Sequence, residues 1–179
     1  MKPDEVSLIE ACLKHDQKAC KQLYDSYAPQ MLGVCMRYAN NREDAQDILH
    51  EGFIKVFENL HKLRNKYLLG SWIRSVMVYT AISTYRSRCK TETVTALGDD
   101  DGLFCSHDDI YGSIDAEVIM QAVQQLPPSY RVAFNLYEIE GYSYPEVSEM
   151  LGISETTVRT NLFRARKLLA KKLAAFKNY

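Results

Sequence analysis

The sequence predicts an all-α protein made of two small helical domains joined by a flexible acidic linker. Three observations lead to this. Apolar residues recur at helical spacing, and no segment alternates apolar and polar residues over a strand's length, so no sheet is expected. The stretch from Thr93 to Gly112 contains Gly-Asp-Asp-Asp-Gly, lacks helical periodicity and holds few large apolar residues, which fits a tether. At 179 residues, 46% hydrophobic and 25% charged, the chain is rich enough in apolar residues for folded domains but long enough only for one of ordinary size or two small ones. The expected division is residues 1–92, a linker over 93–113, and residues 114–179.

In the first domain, Leu8, Ala11 and Cys12 mark a short helix, and Ala19, Leu23, Tyr24 and Tyr27 begin a second. A third is expected from Asp44 to Leu60, with Ile48, Leu49, Phe53, Val56 and Phe57 on one side and Asp44, Asp47, His50, Glu51, Lys55 and Glu58 along its polar flank. Gly70 and Ser71 open a fourth, running to about Cys89. At 100° per residue its Ile73, Val76, Met77, Thr80 and Thr84 fall together as the expected buried face. Trp72, Tyr79, Ser83 and Arg86 form an adjoining stripe of aromatic, polar and cationic groups, suited to stacking on unpaired bases.

In the second domain, Leu126-Pro127-Pro128 ends one helix and opens another that stops at Gly141. Ser143-Tyr144-Pro145-Glu146 has the S-x-x-E form of a capping box, so a short helix is expected to about Leu151, ended by Gly152 in the left-handed conformation. Ser154 then caps a long helix to about Phe176. Val158, Leu162, Ala165 and Leu169 share its inner stripe, while Thr156, Arg159, Thr160, Phe163, Arg164, Lys167 and Lys171 spread over the other side. A short helix, a Gly-containing turn and a second helix with a basic outer face outline a helix-turn-helix that reads a major groove.

Charge supports a nucleic-acid partner although the net charge is only −1. From His61 to Lys90 there are seven Lys and Arg and no acid; from Thr91 to Glu117 there are eight acids and no Lys or Arg. From Ser154 onward seven bases face Glu155 alone. Phosphate neutralisation depends on such local blocks rather than on the average. The acidic block is further expected to cover the basic faces in the free protein.

Other classes are excluded. No apolar run is longer than four residues, so no membrane span is expected, and the acidic start argues against a secretory leader. The expected location is the cytoplasm. Cys12, Cys20, Cys35, Cys89 and Cys105 never take C-x-x-C spacing, so reduced thiols and no metal site are expected. There is no Gly-rich phosphate loop, H-E-x-x-H or nucleophile elbow, so no catalytic residue and no cofactor are expected.

With these elements in place, the chain resembles sigma factors of the extracytoplasmic-function (ECF) type, which carry a sigma-2 helical bundle and a sigma-4 helix-turn-helix. Asp44-Ala45-Gln46-Asp47-Ile48-Leu49-His50-Glu51-Gly52-Phe53 resembles D-A-E-D-L-x-Q-E-x-F. Trp72 through Arg86 is similar to W-L-x-x-I-A-x-N-x-x-x-D-x-x-R. Ile153 to Arg159 and Arg164-Ala165-Arg166 look like I-S-x-G-T-V-K and R-A-R. The three occur in the family's order. His50 stands in place of Gln, Thr156 of Gly, Tyr79 and Ser83 of Asn and Asp, and Asn161 of Arg, the last expected to cost one phosphate contact.

The resemblance implies an alternative sigma factor that directs RNA polymerase core to specific promoters. It implies polymerase binding through Asp44, Asp47, Ile48, His50, Glu51 and Phe53, with the β′ clamp coiled coil and the β flap as partner surfaces. It implies melting of the −10 element through Trp72, Tyr79, Ser83, Arg86 and Arg88. It implies −35 duplex reading by Thr156, Arg159, Thr160, Phe163, Arg164 and Lys167. It further implies a membrane-associated anti-sigma factor as a regulatory partner, with no membrane insertion by this chain. From the residues alone, a homodimeric helix-turn-helix regulator stays open beside this reading.

Overall fold

The computed structural model describes residues 4–95 and 116–176. Its helices are α1 (Asp4–Leu13), α2 (Gln17–Met36), α3 (Arg42–Asn59), α4 (Leu69–Thr95), α5 (Ala116–Gln124), α6 (Pro128–Phe134), α7 (Tyr144–Leu151) and α8 (Glu155–Phe176). Among the described residues there is no strand. The chain divides into two units, Met1–Thr84 and Tyr85–Tyr179. Apart from 93–95, which belong to α4, the expected linker lies outside the described residues, and so does Cys105.

In the first unit, α2 packs on α1 and α3. The turn into α2 passes through His15 at φ 60°, and Asp16 caps the helix by accepting from the Lys18 and Ala19 N–H groups at 2.8 and 3.2 Å. α2 then carries Pro29 in its interior, where a proline ordinarily breaks a helix. Its buried Ala19, Leu23, Ala28, Met31, Val34 and Cys35 hold the helix together by packing rather than by propensity. Asn41 caps α3 through the Asp44 N–H at 2.8 Å, so the helix begins two residues before the expected start at Asp44. On α3, Gly52 lies so close to α4 that a Cβ there would run into Met77 Sδ.

α4 outlasts its expected end at Cys89 and continues to Thr95. Ile73, Met77 and Thr80 are buried as expected, and Leu69, Val78, Ala81 and Ile82 join them, so the inner face is wider than one stripe. Val76 and Thr84 are only half-buried.

In the second unit, α8 is the spine, with α5, α6 and α7 packed against it. Val158, Leu162, Ala165 and Leu169 are all buried on its inner side. Ala165 and Leu169 close over Ala122, Val123 and Leu126, with Tyr130, Phe134, Leu168 and Leu173 around them. Arg131 is 3% exposed and donates from Nη1 to the Gln124 carbonyl at 2.6 Å, placing a cation at the carboxyl end of α5. After Phe134 the helix widens into one π-type turn, Asn135–Ile139, closed by the Glu140 N–H on the Asn135 carbonyl at 2.9 Å. Gly141, at φ 80°, ends it.

Candidate functional site

The short α7 and the long α8 form the helix-turn-helix. The Ser143 N–H donates to Glu146 Oε2 at 2.8 Å, and the Ser143 hydroxyl donates to the same oxygen at 2.6 Å. These bonds hold the Glu146 carboxyl below the usual carboxylate range, the hydroxyl bond being the larger cause. Gly152 takes φ 69°, and its N–H and that of Ile153 both bond to the Ser148 carbonyl at 2.9 and 3.2 Å. The Ser148 hydroxyl donates to the Ile153 carbonyl at 2.6 Å, fixing the turn from the other side. Ser154 Oγ then accepts from the Thr157 N–H at 3.1 Å and starts α8.

Thr156, Arg159, Thr160, Phe163, Arg164 and Lys167 are all exposed on α8. Phe163 is 67% exposed, a large apolar ring left in solvent on an otherwise polar face. Arg159 lies over the Tyr144 ring, 4.2 Å from its centroid, and Arg164 donates from Nη1 to the Tyr130 hydroxyl at 2.9 Å. Asn161 is 8% exposed, on the packed side of α8. Arg166 belongs to the basic block by charge, yet its Nε donates to Glu138 at 2.7 Å, which raises the guanidinium pKa.

On α4, Tyr79, Ser83, Arg86 and Arg88 are exposed and Trp72 is half-buried. The sequence reading passed over Tyr67 and Leu68, which sit on a short 3-10 turn just before α4 and are 75% and 56% exposed. Their signal was available: an aromatic residue inside a block with seven bases and no acid. The Asn65 side chain caps this turn by accepting from the Tyr67 N–H at 3.0 Å, and the neighbouring Lys66 pairs with Glu10 of α1 at 2.6 Å.

On α3, Asp47, His50 and Glu51 are exposed and Asp44 is half-buried. Ile48 and Phe53, assigned by sequence to polymerase binding, are 4% and 2% exposed. Residues spread around a helix cannot all face outward, and these two point into the bundle, where they hold α3 in place. Phe53 packs on Tyr24 at 4.6 Å between centroids, and His50 stacks on the same Tyr24 ring at 6.5 Å. Ile54, 58% exposed, was missed. It follows Asp47 by seven residues and lies on the same outer stripe as His50 and Glu51. Lys55 pairs with Glu51 at 2.6 Å beside them.

The described cysteines, Cys12, Cys20, Cys35 and Cys89, are free thiols. Burial pushes Cys12 and Cys35 up to about 12, which keeps both protonated and unreactive near neutrality. Among the described residues no helix is long and apolar enough to cross a membrane.

Comparison with known proteins gives this geometry its context. Sigma-70 region 2 matches residues 23–91, and Sigma-70 region 4 matches residues 116–169. RNA polymerase sigma factor SigV of Bacillus subtilis is 30% identical over 138 residues, spanning 76% of this chain and 80% of the relative. The chain belongs to the sigma-70 family. RNA polymerase sigma-H factor of Pseudomonas aeruginosa is 27% identical over 177 residues, covering 93% of this sigma factor and 92% of the relative. ECF RNA polymerase sigma-E factor of Haemophilus influenzae is 25% identical over 178 residues, covering 93% of this chain and 94% of that one. In fold, this sigma factor is similar to the sigma factor RpoE of Bartonella quintana, solved in complex with the anti-sigma factor NepR, with a TM-score of 0.52 at 22% identity over 86% of this chain and 96% of that chain. The protein is thus an alternative sigma factor of the ECF type, directing promoter-specific transcription.

Proposed function

We propose that this sigma factor selects promoters through three surfaces. Residues 114–179 act as the sigma-4-like domain, whose α8 enters the major groove of the −35 element. Thr156, Arg159, Thr160, Phe163 and Arg164 meet base edges there, and Lys167 and Lys171 meet phosphates. The observation that carries this reading is the exposed row on α8, directly after a capped, glycine-ended turn.

Residues 1–92 act as the sigma-2-like domain. Trp72, Tyr79, Ser83, Arg86 and Arg88 receive unstacked bases and backbone of the −10 element, aided by the exposed Tyr67 ring. Asp44, Asp47, His50 and Glu51, with Ile54 among them, dock on the β′ clamp coiled coil of the polymerase core. The second domain meets the β flap. Residues 93–113 tether the two, so that modest affinities at two promoter elements multiply through effective concentration. A membrane-associated anti-sigma factor is the expected regulator.

Run-off transcription with purified core polymerase over a genomic fragment library tests the reading. Added protein should create new start sites sharing one −35 and one −10 element at fixed spacing. Unchanged start sites would overturn it. A palindromic footprint formed without polymerase would point instead to a homodimeric regulator.

A further inference from the structure

Arg159 is held in a continuous row of side chains. Its guanidinium carbon is 4.2 Å from the Tyr144 ring centroid, and its Nη2 is 3.7 Å from Glu155 Oε2, one turn back on α8. Behind Tyr144 stands Tyr137, with ring centroids 4.5 Å apart and planes inclined by 28°. Arg166 lies over Tyr137 at 5.9 Å, and its Nε donates to Glu138 at 2.7 Å. The order is Glu155, Arg159, Tyr144, Tyr137, Arg166, Glu138, with a carboxylate at each end. Tyr144 comes from the first turn of α7 and Tyr137 from the π-type turn.

A guanidinium has two chemically distinct sides. Its face is attracted to an aromatic ring, whereas its in-plane N–H groups make the bidentate bonds that recognise guanine. Stacking on Tyr144 occupies the face, and on the edge Nη2 lies 3.7 Å from Glu155 Oε2, too long for a hydrogen bond that would compete with a base. Stacking also restricts a long side chain whose immobilisation would otherwise oppose binding. Arg164 also lies over a ring, 5.8 Å from the Tyr130 centroid, but its Nη1 donates to that tyrosine's hydroxyl at 2.9 Å.

We propose that Tyr144, braced by Tyr137, is a positioning residue for Arg159: it sets the plane of the guanidinium before DNA arrives, and so fixes the base preference at one position of the −35 element. This inference rests on the −35 reading of α8.

The test is selection of duplexes from a randomised library by holoenzyme assembled from the full chain and core polymerase. Arg159→Ala should reduce preference at one position by roughly tenfold, which marks the base pair that it reads. Tyr144→Leu should flatten that same position by about two- to fivefold and leave the others as they are. Tyr144→Phe, which keeps the ring, should retain the original preference. If Tyr144→Leu leaves that position unchanged while Arg159→Ala flattens it, the positioning role is wrong and the −35 reading stands. If Arg159→Ala flattens no position while Arg164→Ala does, Arg159 reads no base and the positioning role is wrong with the −35 reading intact; if neither flattens any position, the −35 reading falls as well. Melting curves separate loss of folding from loss of aim. Should Tyr144→Leu melt below the assay temperature, Tyr137→Leu replaces it: flattening at the Arg159 position supports the positioning role and an unchanged preference overturns it, since this variant strips the brace and keeps Tyr144.

Discussion

Arg166 donates from Nε to Glu138 at 2.7 Å, so one cation of the C-terminal basic block is engaged within its own unit. Both side chains stay partly in solvent, 52% and 33% exposed, so the pair contributes at most about 1 kcal/mol to folding. Arg166→Ala should therefore lower unfolding free energy by no more than about 1 kcal/mol and leave the salt dependence of holoenzyme binding to promoter duplex unchanged. Lys171→Ala should reduce that slope by about one unit. Fluorescence anisotropy titrations at several salt concentrations check this. A reduced slope for Arg166→Ala would mean that the pair opens to reach a phosphate.

The outer stripe of α3 makes a second expectation, because it separates surface from core on one helix. Asp47→Lys and Ile54→Asp change exposed side chains and should abolish co-purification with core polymerase while leaving the melting temperature within a few degrees. Ile48→Ala removes buried volume and should cost about 2–5 kcal/mol of stability. Loss of binding with unchanged melting for Ile48→Ala would contradict the placement of Ile48 in the core.

Most helices were legible because their signals are local. The S-x-x-E box at Ser143, the left-handed Gly152 and the Ser154 cap all appear where side-chain chemistry demands them. What was not legible depends on tertiary contact. Nothing local carries α2 through Pro29; its buried face does. A family motif names Ile48 and Phe53 beside Asp47 and Glu51 without saying which side chains turn inward, and helical phase plus burial decides that. The partner of Arg166 is 28 residues away in sequence, beyond any pattern of spacing. Ile54 and Tyr67 carried weaker signals, helical phase with Asp47 for the one and a basic surrounding for the other, and their exposure shows both to be surface.

Promoter opening supplies a third expectation. Trp72→Ala and Tyr67→Ala should leave closed-complex formation intact, because the proposed duplex contact lies on α8, but should slow opening. Each lost stacking partner is worth about 1–3 kcal/mol, roughly 5- to 150-fold in the open-to-closed ratio. Permanganate reactivity of thymines near the start site reports this directly. Wild-type reactivity in both variants would remove Trp72 and Tyr67 from melting.

Acid should weaken the helix-turn-helix through Glu146. The folded carboxyl is held below its ordinary value, first by the Ser143 hydroxyl and then by the Ser143 N–H. Between the folded and unfolded values the unfolded chain binds more protons, so stability rises with pH there. The contribution is complete above the ordinary carboxylate pKa and disappears as pH falls through the depressed one. Glu10 adds a parallel dependence in the first unit, because the Lys66 hydrogen bond holds its carboxyl low as well. Glu146→Gln should therefore be less stable than wild type near neutrality and should converge with it between about pH 5 and pH 3. Glu10→Gln should act on the first unit's transition and leave the second unit's slope unchanged. Urea unfolding followed across that pH range, with probes in each unit, measures both, and a Glu146→Gln difference that persists undiminished at the acid end would mean that the cap does not depend on the charged carboxylate.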